Sequence, residues 1–161
     1  MIKVIFAAVI LLGLIGPLRA DQGENWYIGP RVGFVSPFTG LVGIEAQRKH
    51  FALSAGMPGT YGAKYYFSIP NHSWYLGLYM VRYNYTPESV QYSDHGYPYD
   101  TKKVRRNGVG GGYRWRWGSG WDLDLSVGVE SVKDTAKYKG IETVRWSGTG
   151  IRGGPTFGYS F

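Results

Sequence analysis

Residues 110–130 read GGGYRWRWGSGWDLDLSVGVE, and their alternation decides the fold. Tyr113, Trp115, Trp117, Trp121, Leu123, Leu125, Val127 and Val129 fall on one parity. Arg114, Arg116, Asp122, Asp124, Ser126 and Glu130 fall on the other. A period of two over this length is the signature of strands with two chemically different faces. Gly118-Ser119-Gly120 breaks the pattern and marks a tight turn. If Trp117 faces Trp121 across that turn, Arg116 stands opposite Asp122 and Arg114 opposite Asp124. Directly opposed residues share a face within contact distance, so one register yields two complementary ion pairs.

The same alternation extends outward from this hairpin. It predicts eight antiparallel segments: Trp26–Phe34, Leu41–Gln47, Phe51–Met57, Tyr61–Ser68, Ser73–Tyr85, Arg105–Trp117, Trp121–Val132 and Gly153–Phe161. There is no internal repeat and no linker, so residues 21–161 form one domain. The connections alternate in length. Those at 48–50, 69–72 and 118–120 are tight, whereas Thr86–Val104 and Lys133–Arg152 are long. An all-β, up-and-down barrel with short turns at one end and longer loops at the other accounts for this rhythm.

Two patterns set which face is enclosed. Strand glycines, including Gly29, Gly33, Gly43, Gly62, Gly77, Gly110, Gly112, Gly128 and Gly158, share the charged parity; Gly111 and Gly153 are exceptions. An eight-stranded barrel is barely wide enough for side chains, so small residues belong inside it. The outward position nearest the short turns is aromatic in nearly every segment: Trp26, Phe51, Phe67, Trp74, Trp117, Trp121 and Phe161. Such a girdle suits a membrane interface, the periplasmic one if the short turns lie there. A soluble, lipocalin-like inversion would bury these rings and expose the ions, against both patterns. The enclosed network then comprises Arg31, Lys64, Arg114 and Arg116 with Glu45, Asp122, Asp124 and Glu130. Arg114, Arg116, Asp122 and Asp124 are expected in one cluster, and Glu45 and Lys64 in a second with Arg31 or Glu130. The network reads either as a gated pore or as a structural core; at eight strands the closed core is favoured.

The first twenty residues have a different logic. Met1-Ile2-Lys3 is followed by the apolar run Val4–Ile15, then Gly16-Pro17 and a small residue at Ala20. This is the layout of a secretory signal peptide cleaved after Ala20. Its apolar run of about a dozen residues is shorter than the roughly 20 a spanning helix needs. The 161-residue chain carries a net charge of +7 and no cysteine, so neither disulfides nor a lipidated cysteine are available. For an exported chain the basic balance points to anionic lipopolysaccharide, not nucleic acid. No cofactor is implied, and the three histidines lack metal-ligand spacing.

Together these features resemble the small eight-stranded bacterial outer-membrane proteins, the OmpA transmembrane domain and OmpX among them. The resemblance is architectural, covers residues 21–161 and matches no individual family motif. It implies a transmembrane β-barrel in the outer membrane of a Gram-negative bacterium, monomeric, with short periplasmic turns and longer external loops. It also implies that Phe157, Tyr159 and Phe161 form the C-terminal signal read by the outer-membrane assembly machinery. The chain ends at the eighth segment, so no peptidoglycan-binding domain is expected. Adhesion to another cell would rest on the OmpX analogy alone.

A non-enzymatic, structural or surface-binding role is expected. Lys102, Lys103, Arg105, Arg106, Lys137, Lys139 and Arg145 cluster at the long-loop end and suit the phosphates of lipopolysaccharide. The alternatives are a narrow pore and a lipid A-modifying enzyme. For the enzyme, Ser93, Asp94 and His95 supply acyltransferase-type residues in the long loop, but the His-x-Ser motif of the deacylase type is missing.

Overall fold

A computed structural model describes residues 26–68, 72–93 and 96–161. The expected signal peptide lies outside them. Ten strands account for most of the described chain: β1 (Trp26–Ser36), β2 (Gly40–Arg48), β3 (Phe51–Met57), β4 (Thr60–Tyr66), β5 (His72–Tyr85), β6 (Gln91–Tyr92), β7 (Pro98–Tyr99), β8 (Thr101–Arg116), β9 (Trp121–Tyr138) and β10 (Ile141–Tyr159). Eight of them pair antiparallel in chain order, β5 with β8 across the intervening β6 and β7, and β1 pairs with β10 to close the ring; β6 and β7 form a separate small hairpin. The described chain is thus all-β, and no described helix is long and apolar enough to cross a membrane.

Closure pairs both edges of each strand around the lower part of the ring, whereas the upper part of β10 is paired with β9 alone, since β1 meets β10 only at Thr156, Phe157 and Gly158. β8 and β9 pair with Arg114 opposite Asp124 and Arg116 opposite Asp122. The Trp117 amide donates to the Trp121 carbonyl at 2.8 Å, closing the Gly-Ser-Gly turn. Parity then holds around the ring. Odd positions of β8 and β9 face outward, even positions inward, and the burial of β9 alternates accordingly from Trp121 to Glu130.

The ring is lopsided. β2, β3 and β4 hold 9, 7 and 7 residues, whereas β8, β9 and β10 hold 16, 18 and 19. Most of Lys133–Arg152, expected as a loop, is paired strand: Lys133 faces Ser147 and Thr135 faces Arg145. A two-residue turn reverses the chain at Lys139 (φ 49°) and Gly140 (φ 82°). Two positive φ values are the geometry whose twist matches a hairpin. Likewise, the expected loop Thr86–Val104 contains the β6–β7 hairpin and the start of β8. The strands were underestimated here because the outer face turns polar beyond Ser131, which erases the apolar alternation while the ladder continues. The fourth segment, conversely, ends at Tyr66 and not Ser68.

Candidate functional site: the filled interior and the basic long-hairpin end

Inward parity brings the eight predicted ionic residues into the enclosed space, and all eight are buried. Seven form one cluster at the level of the short turns and above it. Arg114 reaches Glu45 (2.6 Å) and Asp124 (2.8 Å). Lys64 bridges Glu45 (2.8 Å) and Asp124 (2.9 Å). Arg31 pairs with Asp122 and donates to Ser160 Oγ at 3.0 Å. Arg116 donates to Gln47 Oε1 at 2.9 Å, and the Tyr75 hydroxyl donates to Asp124. Glu45 and Lys64 do meet Arg31, which lies 3.4 Å from Glu45, as one of the two expected alternatives has it, but this group is not a separate second cluster. The Glu45 and Lys64 side chains reach across the interior and join Arg114 and Asp124, because the barrel is too narrow to keep them apart.

This cluster holds four cations against three carboxylates. Aromatic faces take part of the surplus: Arg116 lies 4.1 Å from the Tyr27 ring centroid and Arg114 lies 4.7 Å from that of Tyr66. Ring quadrupoles attract such cations, more strongly when water is excluded.

Above the ions sits a side chain the sequence reading missed. Phe38, in the connection between β1 and β2, is 0% exposed and folds into the ring. Its ring meets Tyr75 and Tyr79 edge-on, each at 5.5 Å, and Lys64 Nζ lies 5.0 Å from its centroid. Ser54 Oγ donates to its carbonyl at 2.8 Å. The inward glycines are the reason it fits. A Cβ on Gly77 would come within 2.6 Å of the Phe38 ring, and one on Gly62 within 3.1 Å. Gly108, Gly112 and Gly158 make the same room for Tyr79, Tyr75 and Arg31.

Glu130 lies beyond Phe38 in a separate group. Arg106 contacts Glu130 at 2.9 Å and Asp134 at 3.1 Å. Lys102 approaches Asp134 at 3.6 Å and stacks over Trp146 at 4.7 Å. Two of the seven cations expected at a loop surface, Lys102 and Arg106, thus point inward and are already paired. Parity assigns them there, since both continue the even register of Arg114 and Arg116. Lys103, Arg105, Lys137, Lys139 and Arg145 are exposed, and Arg145 pairs with Glu142 at 3.0 Å.

The seven girdle aromatics, Trp26, Phe51, Phe67, Trp74, Trp117, Trp121 and Phe161, are all exposed at the short-turn end. Of the C-terminal residues, Phe157 stands outward opposite Leu123, and Tyr159 packs edge-on against Trp121 (5.1 Å) and Phe161 (5.0 Å). Ser93 serves a turn: its Oγ accepts the Tyr97 amide at 3.1 Å and its carbonyl accepts the Gly96 amide at 2.8 Å. Asp94 and His95 lie outside the described residues. No cluster of metal-ligating side chains occurs among the described residues. No protein-family model, curated protein or solved structure matches the chain.

Proposed function

We propose that the chain is a non-enzymatic outer-membrane β-barrel, monomeric, with a sealed interior and a basic end turned toward lipopolysaccharide. The observation that carries this reading is the division of the closed sheet into an apolar outside and an ionic inside. On β8 and β9 the outward residues from Val109 to Trp117 and from Trp121 to Val129 are apolar or aromatic apart from Gly111. At ~3.4 Å per residue that band is about 27 Å along the strand, or roughly 20 Å along the axis at a tilt of ~40°. It approaches the ~25 Å apolar band of outer-membrane barrels, with aromatic rings at its lower rim. In water, the same surface would expose a contiguous apolar patch far beyond the few hundred Å² usual for a soluble monomer.

The sealed interior argues for a structural or surface-binding role over conduction. Ions, tyrosines and Phe38 fill the cross-section, and an eight-stranded ring has little space to spare. The C-terminal aromatics would present the assembly signal, and the first twenty residues would direct export.

Membrane fractionation with a heat-modifiability gel tests the reading. The chain is expected in the outer-membrane fraction, migrating faster unheated than boiled. Recovery in the soluble fraction without detergent, with its tryptophans shielded from water, would refute it.

A further inference from the structure

The outer wall of β5, β8 and β9 changes character beyond its apolar band. One row above Leu78, Val109 and Val129 stand Met80, Asn107 and Ser131, paired in register. The next row is basic. Arg82 on β5 stands directly opposite Arg105 on β8, with Lys133 on the same face of β9. Lys103 follows two residues further along β8, opposite Asn84. Like charges placed directly opposite are destabilising, and the wall offers them no relief. Every carboxylate of β8 and β9 (Asp122, Asp124, Glu130 and Asp134) has inward parity. Arg82 is fixed by neutral acceptors only: the Val81 carbonyl (3.0 Å), the Arg106 carbonyl (2.8 Å) and Asn107 Oδ1 (2.6 Å). Among the described residues no ion pair engages Lys103, Arg105 or Lys133.

Four cations, held about 5 Å apart between strands and ~7 Å apart along them, therefore face outward just above an apolar band. Their long side chains can bend toward that band while keeping their heads hydrated. We infer that this wall binds the phosphorylated headgroup of a lipid A-type glycolipid through Arg82, Lys103, Arg105 and Lys133, with its acyl chains against Leu78, Val109 and Val129. Guanidinium and ammonium donors at this spacing suit a ligand with more than one phosphate, bound by charge-assisted hydrogen bonds. The inference rests on the membrane reading above. It differs from a general attraction of basic loops in choosing the strand wall, adding Arg82 and Lys133, and excluding Lys102 and Arg106.

The test uses the full chain purified from membranes and stripped of lipid in zwitterionic detergent. Diphosphoryl lipid A, monophosphoryl lipid A, phosphatidylglycerol and inorganic phosphate are titrated while tryptophan fluorescence is followed. Saturable binding of diphosphoryl lipid A is expected, at least tenfold tighter than the other three. Arg105→Ser with Lys133→Ser should weaken it tenfold or more, whereas Lys137→Ser with Lys139→Asn, which removes equal charge at the hairpin tip, should change it less than twofold. Equal losses in the two double variants, no loss in the first, or inorganic phosphate binding as tightly as lipid A would each overturn the inference. Heat-modifiable migration of each variant establishes that its barrel is folded. A chain that never enters membranes fails the earlier reading; a folded barrel indifferent to these substitutions fails this one alone.

Discussion

The two sides of the ring are built on different terms. On the low side, β2 to β4 end soon after the apolar outer face ends, and their inner faces carry Glu45, Ser54 and Lys64 against Phe38 and the ionic cluster. On the tall side, β8 to β10 continue well past that level as a ribbon with a polar outer face. The low side is held by what lies inside the ring. The upper part of the tall side is held by its ladder and a few contacts such as Arg106 with Glu130 and Asp134, Arg106 being 28% exposed at its side chain. Stability should therefore be concentrated below Phe38 and function should be free to vary above it.

That contrast can be broken most severely at the ionic cluster. Asp124→Leu leaves Arg114, Lys64 and Tyr75 without their shared acceptor, and removal of one partner from a buried pair costs about 3–5 kcal/mol. Urea unfolding followed by heat-modifiable migration should show the loss; unchanged stability would contradict the pairing. Phe38→Ala should cost about 3 kcal/mol in the same assay, as a buried aromatic truncation does. It empties one level of the interior while the ionic cluster below stays filled, so planar-bilayer recordings should find no openings in either the variant or the parent. Arg106→Ala takes a partly hydrated cation from two buried carboxylates, of which Asp134 keeps Lys102, and should cost about 2 kcal/mol, between the surface-pair and buried-pair ranges. Arg145→Ala, on the exposed ribbon, should stay within ~0.5 kcal/mol of the parent. If the last two matched the first two, the two sides would not differ as described.

How much of this the sequence disclosed follows the same division. The closed all-β ring and the register of β8 and β9 were legible because aromatic and charged parities run unbroken through Trp117 and Trp121. The inward glycines were legible as small residues, though not as the individual hollows for Phe38, Tyr79, Tyr75 and Arg31. The tall ribbon was hidden because Lys133, Thr135, Lys137 and Arg145 read as a polar loop, and only pairing with a distant partner makes them strand. Phe38 was hidden for a related reason. Ser36-Pro37-Phe38-Thr39-Gly40 reads locally as an exposed turn, while the space that receives the ring is left by Gly62 and Gly77 on other strands. The inward direction of Arg106 was available from parity, had the even register of Arg114 been followed back through the glycines.

The pairing of Arg31 with Asp122 joins residues 91 positions apart, and Lys64 with Asp124 joins residues 60 apart. A partial sheet that has reached only β5 therefore holds two cations, Arg31 and Lys64, against the single carboxylate of Glu45, and its concave side stays hydrated. Dehydration of that side becomes favourable only when β9 arrives and β10 meets β1. The same bonds that stiffen the finished ring thus act as a completion signal, penalising premature sealing and making the last closure cooperative.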